Sequence, residues 1–357
     1  MSAILNDLFT RPQFSMEPAE KDALLLQELV SLHTLHQERC GAFGTITDLL
    51  FKNCPHPTSL TELPYLPVGL FKRLELSSVS DAERFKTLHS SGTSGSTPSL
   101  IVLDQETARL QTLALKNIMV SLLGLKRLPM LIIDSESIIQ SNGTHSARAA
   151  GVIGMMNFGR DHFFALGADE QLRASDVLAW LEKYRESEIF IFGFTAIVWH
   201  RFLQALSTPV PRTAKTILIH GGGWKKLLQS SVSNETFKIR ARTLLGEVAV
   251  HDYYGMVEQV GSIFIECSQG YLHTPNFATV IIRDERTFEE RAPHQPGLIQ
   301  VLSLLPRSYP GHSILTEDVG VLEEYDGCAC GWRGRYFRVH GRLARAELRG
   351  CSDTARV

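Results

Sequence analysis

The sequence predicts a mixed α/β fold with flanking helices, followed by a β-rich region. Up to about residue 260, short apolar runs alternate with stretches of helical spacing, which is typical of a largely parallel sheet whose strands are joined by helices. Beyond that point, short alternating segments are separated by Gly, Pro and Asp turns. We therefore expect an α/β body over residues 1–260 and a smaller β-rich subdomain over residues 261–357, packed together as one domain.

Hydrophobic spacing places the individual elements. A helix within residues 18–52 is predicted by leucines that can share one face, namely Leu24, Leu25, Leu29, Leu32 and Leu35. The Pro-rich stretch 54–68 predicts a loop. Further helices are expected over residues 106–123 and 175–185. Buried strands are expected over residues 101–103, 129–134, 189–192 and 216–219, and partly exposed ones over 262–266, 278–283, 297–304, 320–324 and 336–340.

Composition narrows the class of protein. The chain has 357 residues, 44% of them hydrophobic, and a formal net charge of -2, so nothing requires a basic surface for nucleic acid. The first residues lack the basic start and apolar core of a secretory signal, and no apolar run is long enough to span a bilayer. We expect a cytoplasmic protein, with its oligomeric state left open.

The most informative segment is a loop rich in Ser, Thr and Gly at residues 89–99. Glycine allows several backbone amides to turn toward one point, and hydroxyls add donors without bulk, so the loop suits the phosphates of a nucleotide. A flexible linker is the alternative for such a composition. The loop lacks the Gly-Lys-Ser/Thr of a Walker motif and the G-x-G-x-x-G of a dinucleotide fold.

Two further glycine-containing segments stand at or near predicted strand ends. At residues 220–224, three glycines follow a strand, where a flat ligand can lie against bare backbone; a simple turn is the alternative. At residues 251–258, an aromatic side chain available for stacking on a purine is followed by a carboxylate suited to Mg²⁺. Ligands of open α/β sheets collect at the carboxyl ends of the strands.

The order of these motifs resembles the adenylate-forming superfamily. The series runs from Ser-Ser-Gly-Thr-Ser-Gly-Ser-Thr-Pro at 90–98 through the glycines at 221–223, Tyr-Gly-Met-Val-Glu at 254–258 and Thr-Glu-Asp at 316–318 to His-Gly-Arg at 340–342. Within it, segments 67–72, 222–226, 308–312 and 349–353 resemble the acyl-protein synthetase family of the bacterial bioluminescence fatty-acid reductase complex. The resemblance covers nearly the whole chain, and it implies the large domain of these enzymes without their C-terminal small domain.

The resemblance also implies roles for individual residues in binding ATP and Mg²⁺. It implies that the β- and γ-phosphates are bound by Ser90, Ser91, Gly92, Thr93, Ser94, Gly95 and Thr97. Gly222 and Gly223 would border adenine, and Tyr254 would stack on it. Glu258 would bind Mg²⁺, Asp318 would accept hydrogen bonds from the ribose, and Arg342 would lie near ribose and phosphate.

This chain departs from the superfamily pattern at the phosphate loop and at its C-terminal end. The superfamily commonly has a lysine just after the proline of the phosphate loop, where this chain has Ser99. A second lysine, used in adenylation, belongs to the small domain that the resemblance omits. Candidates for a positive charge at the α-phosphate are His220, Lys225, Arg338 and Arg345.

The cysteines suggest one metal site. Cys267, His273, Cys328 and Cys330 supply the number of soft ligands that a structural zinc takes, in turn-rich surroundings. Spacing alone leaves four unrelated residues as an equal alternative. Phenylacetate-type ligases, which are related to the superfamily members above, have a zinc site formed in this manner, so the resemblance favours structural Zn²⁺.

Cys351 is a separate candidate. It follows Arg349 and Gly350, and nearby positive charge lowers the pKa of a thiol. An inert thiol is the alternative from sequence alone. The resemblance implies that this cysteine accepts the acyl group as a thioester and passes it to a partner such as a reductase or an acyltransferase.

The sequence thus predicts ATP-dependent activation of a carboxylic acid, a fatty acid by resemblance, followed by transfer to a protein thiol. A phenylacetate-type coenzyme A ligase and a catalytically inactive, zinc-stabilised scaffold are the alternatives. The acyl pocket stays open, since the apolar candidates for its lining serve equally as core: Met155, Met156, Phe158, Phe192, Phe194 and Trp199.

Overall fold

A computed structural model describes residues 2–51, 57–90, 98–140, 147–224 and 231–343. These residues form two compact units that interleave along the chain. The first unit contains residues 2–89, 98–121 and 255–343, and the second contains residue 90 and residues 122–254, in each case within the described ranges. The units change at residues 254 and 255, whereas the proposed domain boundary at residue 260 stays a prediction.

The second unit is built on a parallel sheet with strand order β5-β4-β6-β7-β8. Its strands are β4 (Leu128–Ser135), β5 (Gly159–Leu166), β6 (Glu188–Phe194), β7 (Lys215–Gly221) and β8 (Val248–Tyr254). The central strands β4 and β6 are almost entirely buried, which is why they are apolar runs without alternation. This confirms the parallel sheet predicted from the alternation of strands and helices.

Helices flank this sheet. They are α5 (Ser137–Gln140), α6 (Ala147–Met156), α7 (Ala174–Lys183), α8 (Thr195–Ile197), which continues as a π-helical turn over Val198–Leu203, and α9 (Asn234–Leu245). The hydroxyl of Ser233 caps α9 by accepting a hydrogen bond from the amide of Thr236 at 3.1 Å.

The first unit carries an antiparallel sheet with strand order β11-β12-β13-β14-β10-β9. Its strands are β9 (Phe264–Glu266), β10 (Leu272–His273), β11 (Ala278–Arg283), β12 (Pro296–Ser303), β13 (Ser313–Glu324) and β14 (Tyr336–Arg342). The short strand β1 (Leu66–Pro67) pairs with β13 in parallel. The predicted β-rich character after residue 260 is confirmed.

The N-terminal part of the first unit is helical. It comprises α1 (Ala3–Thr10), α2 (Pro18–Arg39), α3 (Gly41–Leu50) and most of α4 (Gln105–Leu123). An antiparallel pair, β2 (Lys86–His89) and β3 (Leu100–Leu103), flanks the Ser/Thr/Gly loop, with His89 opposite Leu100. The loop therefore joins two strands of a hairpin.

Three details differ from the sequence prediction. The single helix expected within residues 18–52 is two helices, because Cys40 adopts an extended conformation (φ -121°, ψ 93°) between them. The loop expected over residues 54–68 contains β1 in its described part. Strands β5 and β8 and helix α9 were not predicted, because their polar residues obscure a clear apolar period.

Among the described residues, the structure contains no helix that is both long and apolar enough to cross a membrane.

Candidate functional site

The Ser/Thr/Gly loop is described only at its two ends. Ser90 follows β2, and Pro98 and Ser99 precede β3. The predicted phosphate ligands Ser91, Gly92, Thr93, Ser94, Gly95 and Thr97 lie outside the described residues, as does Cys351. Ser99 is fully buried, and its hydroxyl donates a hydrogen bond to the Oε1 atom of Glu258 at 2.6 Å.

Glu258 lies in a short 3-10 turn, Val257–Gln259, with only 7% of its surface exposed. Burial raises the pKa of Glu258, while the hydrogen bond from Ser99 and the positive charge of Arg342 oppose that shift. A hard carboxylate oxygen is a ligand that Mg²⁺ prefers. The chemistry of this group therefore fits the predicted Mg²⁺ role.

The turn that carries Glu258 is fixed by buried side chains. The hydroxyl of Tyr309 donates to the carbonyl oxygen of Glu258 at 2.9 Å. The side-chain Nε2 atom of Gln259 donates to the carbonyl oxygens of Gly311 at 2.7 Å and Val301 at 3.1 Å. A Cβ at Gly311 would lie 2.3 Å from the Tyr309 ring and 2.8 Å from the carbonyl oxygen of Glu258, so only glycine fits this approach.

Asp318 and Arg342 form a cross-strand pair in the same unit. They are register partners on β13 and β14, and the Arg342 Nε atom lies 3.0 Å from the Asp318 Oδ1 atom. The hydroxyl of Thr316 accepts a hydrogen bond from the amide of Asp318 at 3.1 Å and donates to the carbonyl of Ile299 at 2.7 Å. The structure thus pairs two residues that the sequence places 24 positions apart.

In the second unit, the three glycines form the end of β7 and the turn after it. A Cβ at Gly221 would lie 2.3–2.5 Å from atoms of the Tyr253 ring. Gly222 has a φ of +79°, which disfavours any side chain, and Gly223 faces open space. The turn therefore leaves bare backbone exposed at Gly223.

Tyr254 is the last residue of β8 and is half-buried. It lies at the carboxyl edge of the parallel sheet, the edge on which β7 ends at Gly221. Tyr253 and Phe192 pack face to face at this end, with ring centroids 6.5 Å apart. The glycines and Tyr254 thus share the sheet edge at which ligands of α/β proteins bind.

His220 also lies at this edge, almost wholly buried. Its Nδ1 atom lies 3.0 Å from the hydroxyl of Thr195 and 3.5 Å from the Oδ1 atom of Asp252. Burial lowers the pKa of His220 to about 3, and the charge of Lys238 adds to the effect. His220 is therefore neutral at pH 7, and the expectation that it supplies positive charge at the α-phosphate is not supported.

Four side chains form a cluster that fits a metal ion. The ligand atoms of Cys267, His273, Cys328 and Cys330 all lie within 4.8 Å of one another. The Sγ atoms of Cys267 and Cys328 are 3.9 Å apart, and the Sγ atom of Cys330 lies 3.5 Å from the Nε2 atom of His273. Tetrahedral zinc, with Zn–S bonds of about 2.3 Å and Zn–N bonds of about 2.0 Å, separates such ligands by about 3.8 Å and 3.5 Å.

The loops around the cluster resemble each other in their hydrogen bonds. The amide of Gly270 donates to the carbonyl of Cys267, and the amide of Gly331 to that of Cys328, each at 3.0 Å. The backbone amide of Gln269 donates to the Sγ atom of Cys267 at 3.4 Å, and that of Trp332 donates to the Sγ atom of Cys330 at 3.3 Å. Burial raises the pKa of Cys330 to about 12, so a cation is needed to hold its thiolate.

The N-terminal segment packs on this cluster. The ring of Phe14 stacks on Trp332 at 4.3 Å, and the carbonyl of Phe14 accepts a hydrogen bond from the amide of Arg333 at 2.8 Å. Lys21 is buried and donates to the carbonyl of Thr274 at 3.0 Å. The sequence does not predict that residues 14–21 pack on the cluster, because no local pattern in this segment indicates it.

The apolar candidates for an acyl pocket have mixed surroundings. Met155, Phe192, Phe194 and Trp199 are buried, which suits core packing, whereas Met156 and Phe158 are partly buried. A Cβ at Gly151 would lie 3.0 Å from the Phe194 ring, and one at Gly222 would lie 3.2 Å from it. The Phe194 ring therefore lies close to the backbone at both glycines.

The chain is similar to one protein family and to several solved structures. The family model for acyl-protein synthetase, LuxE, matches residues 14–356. A comparison with curated protein sequences finds no match. An open conformation of 2-hydroxyisobutyryl-CoA ligase in complex with 2-HIB-AMP and CoA is 15% identical, with a TM-score of 0.67 over 93% of this chain and 77% of that chain. The same ligase in its thioesterification state is 16% identical, with a TM-score of 0.65 over 93% and 70%. These similarities show that the chain shares the fold of this ligase.

Proposed function

Since the chain belongs to the LuxE acyl-protein synthetase family and is therefore an ATP-dependent adenylate-forming ligase, we propose that it activates a fatty acid and transfers the acyl group to the thiol of Cys351. The family, the fold class and the ligase activity predicted from the sequence are confirmed. The identity of the acid, the acyl-accepting thiol and the individual site residues belong to the proposal.

The observation that carries the proposal is the buried carboxylate of Glu258, which accepts a hydrogen bond from Ser99 at 2.6 Å. A buried acidic group fixed by donors is costly unless it serves a ligand or a partner. Mg²⁺, when bound, screens the charge between two anionic reactants. Glu258 would hold that ion.

The remaining nucleotide contacts are assigned by residue. The β- and γ-phosphates would be bound by Ser90, Ser91, Gly92, Thr93, Ser94, Gly95 and Thr97. Gly222 and Gly223 would border adenine, with Tyr254 stacked on it; the exposed backbone at Gly223 supports this assignment. Asp318 would accept from the ribose hydroxyls, and Arg342, which already pairs with Asp318, would lie near ribose and phosphate.

The reaction then proceeds by two substitutions. A carboxylate oxygen of the acid forms a bond to the α-phosphorus of ATP, and the bond from that phosphorus to pyrophosphate breaks. The thiolate of Cys351 next forms a bond to the acyl carbon, and AMP leaves with the electron pair of the broken C–O bond. Positioning and charge screening supply the catalysis of the first step, because no protein nucleophile takes part in it.

Zn²⁺ has a structural role in this proposal. The observed separations within the cluster of Cys267, His273, Cys328 and Cys330 match a closed tetrahedral site. A site with four protein ligands leaves no position for substrate. The metal would hold the two loops and the N-terminal segment that packs on them.

Exchange of labelled pyrophosphate into ATP tests the first step. We expect exchange that depends on a fatty acid and on Mg²⁺, and its loss in the Glu258→Gln variant. Exchange with a short or aromatic acid alone would overturn the choice of substrate, and the absence of exchange with every acid would support an inactive scaffold. Formation of acyl-coenzyme A without acylated protein would favour a coenzyme A ligase.

A further inference from the structure

Ser99 is a buried residue of the first unit that is hydrogen-bonded to Glu258. It directly precedes β3, it is fully buried, and its hydroxyl reaches the Oε1 atom of a residue 159 positions away. The distance of 2.6 Å lies at the short end of the range for a hydroxyl–oxygen hydrogen bond, about 2.5–3.0 Å. Ser99 therefore donates a close hydrogen bond to Glu258.

We propose that Ser99 is a positioning residue that fixes one oxygen of the Glu258 carboxylate and so presents the other oxygen to Mg²⁺. The inference rests on the proposed role of Glu258 as the Mg²⁺ ligand. A carboxylate with one oxygen held has fewer orientations to lose when the cation binds, so the site is preorganised.

The choice of serine has a physical reason. A lysine, which the superfamily commonly has at this position, would bring a full positive charge beside Glu258. A hydroxyl orients the same oxygen without adding charge. The negative charge of Glu258 thus stays available for Mg²⁺.

The surrounding structure holds both partners of this hydrogen bond in place. The hydroxyl of Ser308 donates to the carbonyl of Val102 on β3 at 2.9 Å, and the next residue, Tyr309, donates to the carbonyl of Glu258 at 2.9 Å. One segment therefore ties the strand that follows Ser99 to the turn that carries Glu258. This arrangement fixes the separation of the hydroxyl and the carboxylate.

The test measures ATP binding by titration calorimetry at a series of Mg²⁺ concentrations, together with the Mg²⁺ dependence of pyrophosphate exchange. For Ser99→Ala we expect the Mg²⁺ concentration at half-saturation to rise about tenfold, since a hydrogen bond to a charged group is lost, with a much smaller change in kcat. Ser99→Thr keeps the hydroxyl and should restore most of the Mg²⁺ response. Ser99→Cys, of nearly the same size, should give an intermediate response and replaces Ser99→Ala if the latter fails to fold.

Two controls make the outcome decisive. Ser313→Ala removes another buried hydroxyl of the first unit, one that accepts from Gln300 at 2.9 Å, and should leave the Mg²⁺ response unchanged. In the Glu258→Gln background, Ser99→Ala should add nothing to the loss of Mg²⁺ affinity. A wild-type Mg²⁺ response in Ser99→Ala, with a weakened one in Glu258→Gln, overturns this inference alone. A wild-type response in Glu258→Gln overturns the proposed role of Glu258 itself.

Discussion

Alanine substitutions at the three consecutive glycines 221–223 should have three different effects, although the chemical change is the same. Gly221 lies against the Tyr253 ring, Gly222 has a φ of +79°, and a Cβ added at Gly223 would meet no heavy atom of the described residues within 4 Å. Each substitution therefore tests a separate property of one turn: close packing, backbone conformation and access for a ligand.

The geometry sets the size of each effect. At Gly221 the new Cβ would lie 2.3 Å from Tyr253 Cε1, so the ring must move, and overpacking of this kind costs about 1–3 kcal/mol of unfolding free energy. At Gly222 the left-handed conformation costs about 1–2 kcal/mol. At Gly223 the folded chain accommodates the methyl group, so a gain of about 0.4–1 kcal/mol from the stiffer unfolded chain is expected.

Urea unfolding of the three variants measures these free energies, and pyrophosphate exchange measures the KM for ATP. If adenine lies against Gly223, the methyl group should raise the KM for ATP by about tenfold or more, although the protein is slightly more stable than the wild type. Gly221→Ala should show the converse, a loss of stability that is larger than any change in KM at a temperature where the variant is folded.

The result that refutes the adenine assignment is a Gly223→Ala variant with the wild-type KM for ATP. The result that refutes the packing at the end of β7 is a Gly221→Ala variant with the wild-type unfolding free energy. The two outcomes are independent, because one concerns the ligand and the other concerns Tyr253.

Three further predictions concern stability. Burial lowers the pKa of His33 to about 4 and that of His36 to about 3, so their stabilisation is complete above the ordinary pKa of 6.5 and is lost as the pH falls from there toward these values. The unfolding free energies measured with urea at pH 6.5 and pH 5 should differ by roughly 1–2 kcal/mol per histidine, and equal values would contradict the burial of neutral rings. Purified protein should contain about one zinc per chain by elemental analysis, and Cys330→Ser should lower both the zinc content and the melting temperature; full zinc content in that variant would exclude Cys330 as a ligand. Asp134→Ala should cost roughly 3 kcal/mol of unfolding free energy, because it leaves the buried guanidinium of Arg148 without its bidentate partner; an unchanged denaturation midpoint would count against this ion pair.

The sequence predicted the fold best where apolar spacing is strong. The buried strands β4, β6 and β7 are continuous apolar runs, and their parallel pairing follows from the helices between them. Strand β8 was missed because its second half, His-Asp-Tyr-Tyr, is half-buried and polar. The break at Cys40 was missed because the apolar spacing continues across it from α2 into α3.

For the candidate sites, the sequence predicts which residues take part better than it predicts how they are arranged. The metal cluster could be predicted as a set of residues, because Cys and His side chains are rare and their turns contain glycine. Its geometry depends on pairing between β9, β10 and β14, which no local signal reveals. Ser99 was recognised only as a departure from a family pattern. Its hydrogen bond to Glu258 joins positions far apart in the chain, so only the folded structure reveals it.

The central claim, transfer of an activated acyl group to the protein, is tested most directly by the intact mass of the chain after incubation with ATP, Mg²⁺ and a fatty acid. We predict a mass increase equal to one acyl group, removed by hydroxylamine and located at Cys351 by peptide mapping, together with AMP release. Cys351→Ser should still catalyse pyrophosphate exchange but should carry no acyl group. An acyl group on the Cys351→Ser variant, or AMP formation by the wild type without acylated protein, would contradict the account.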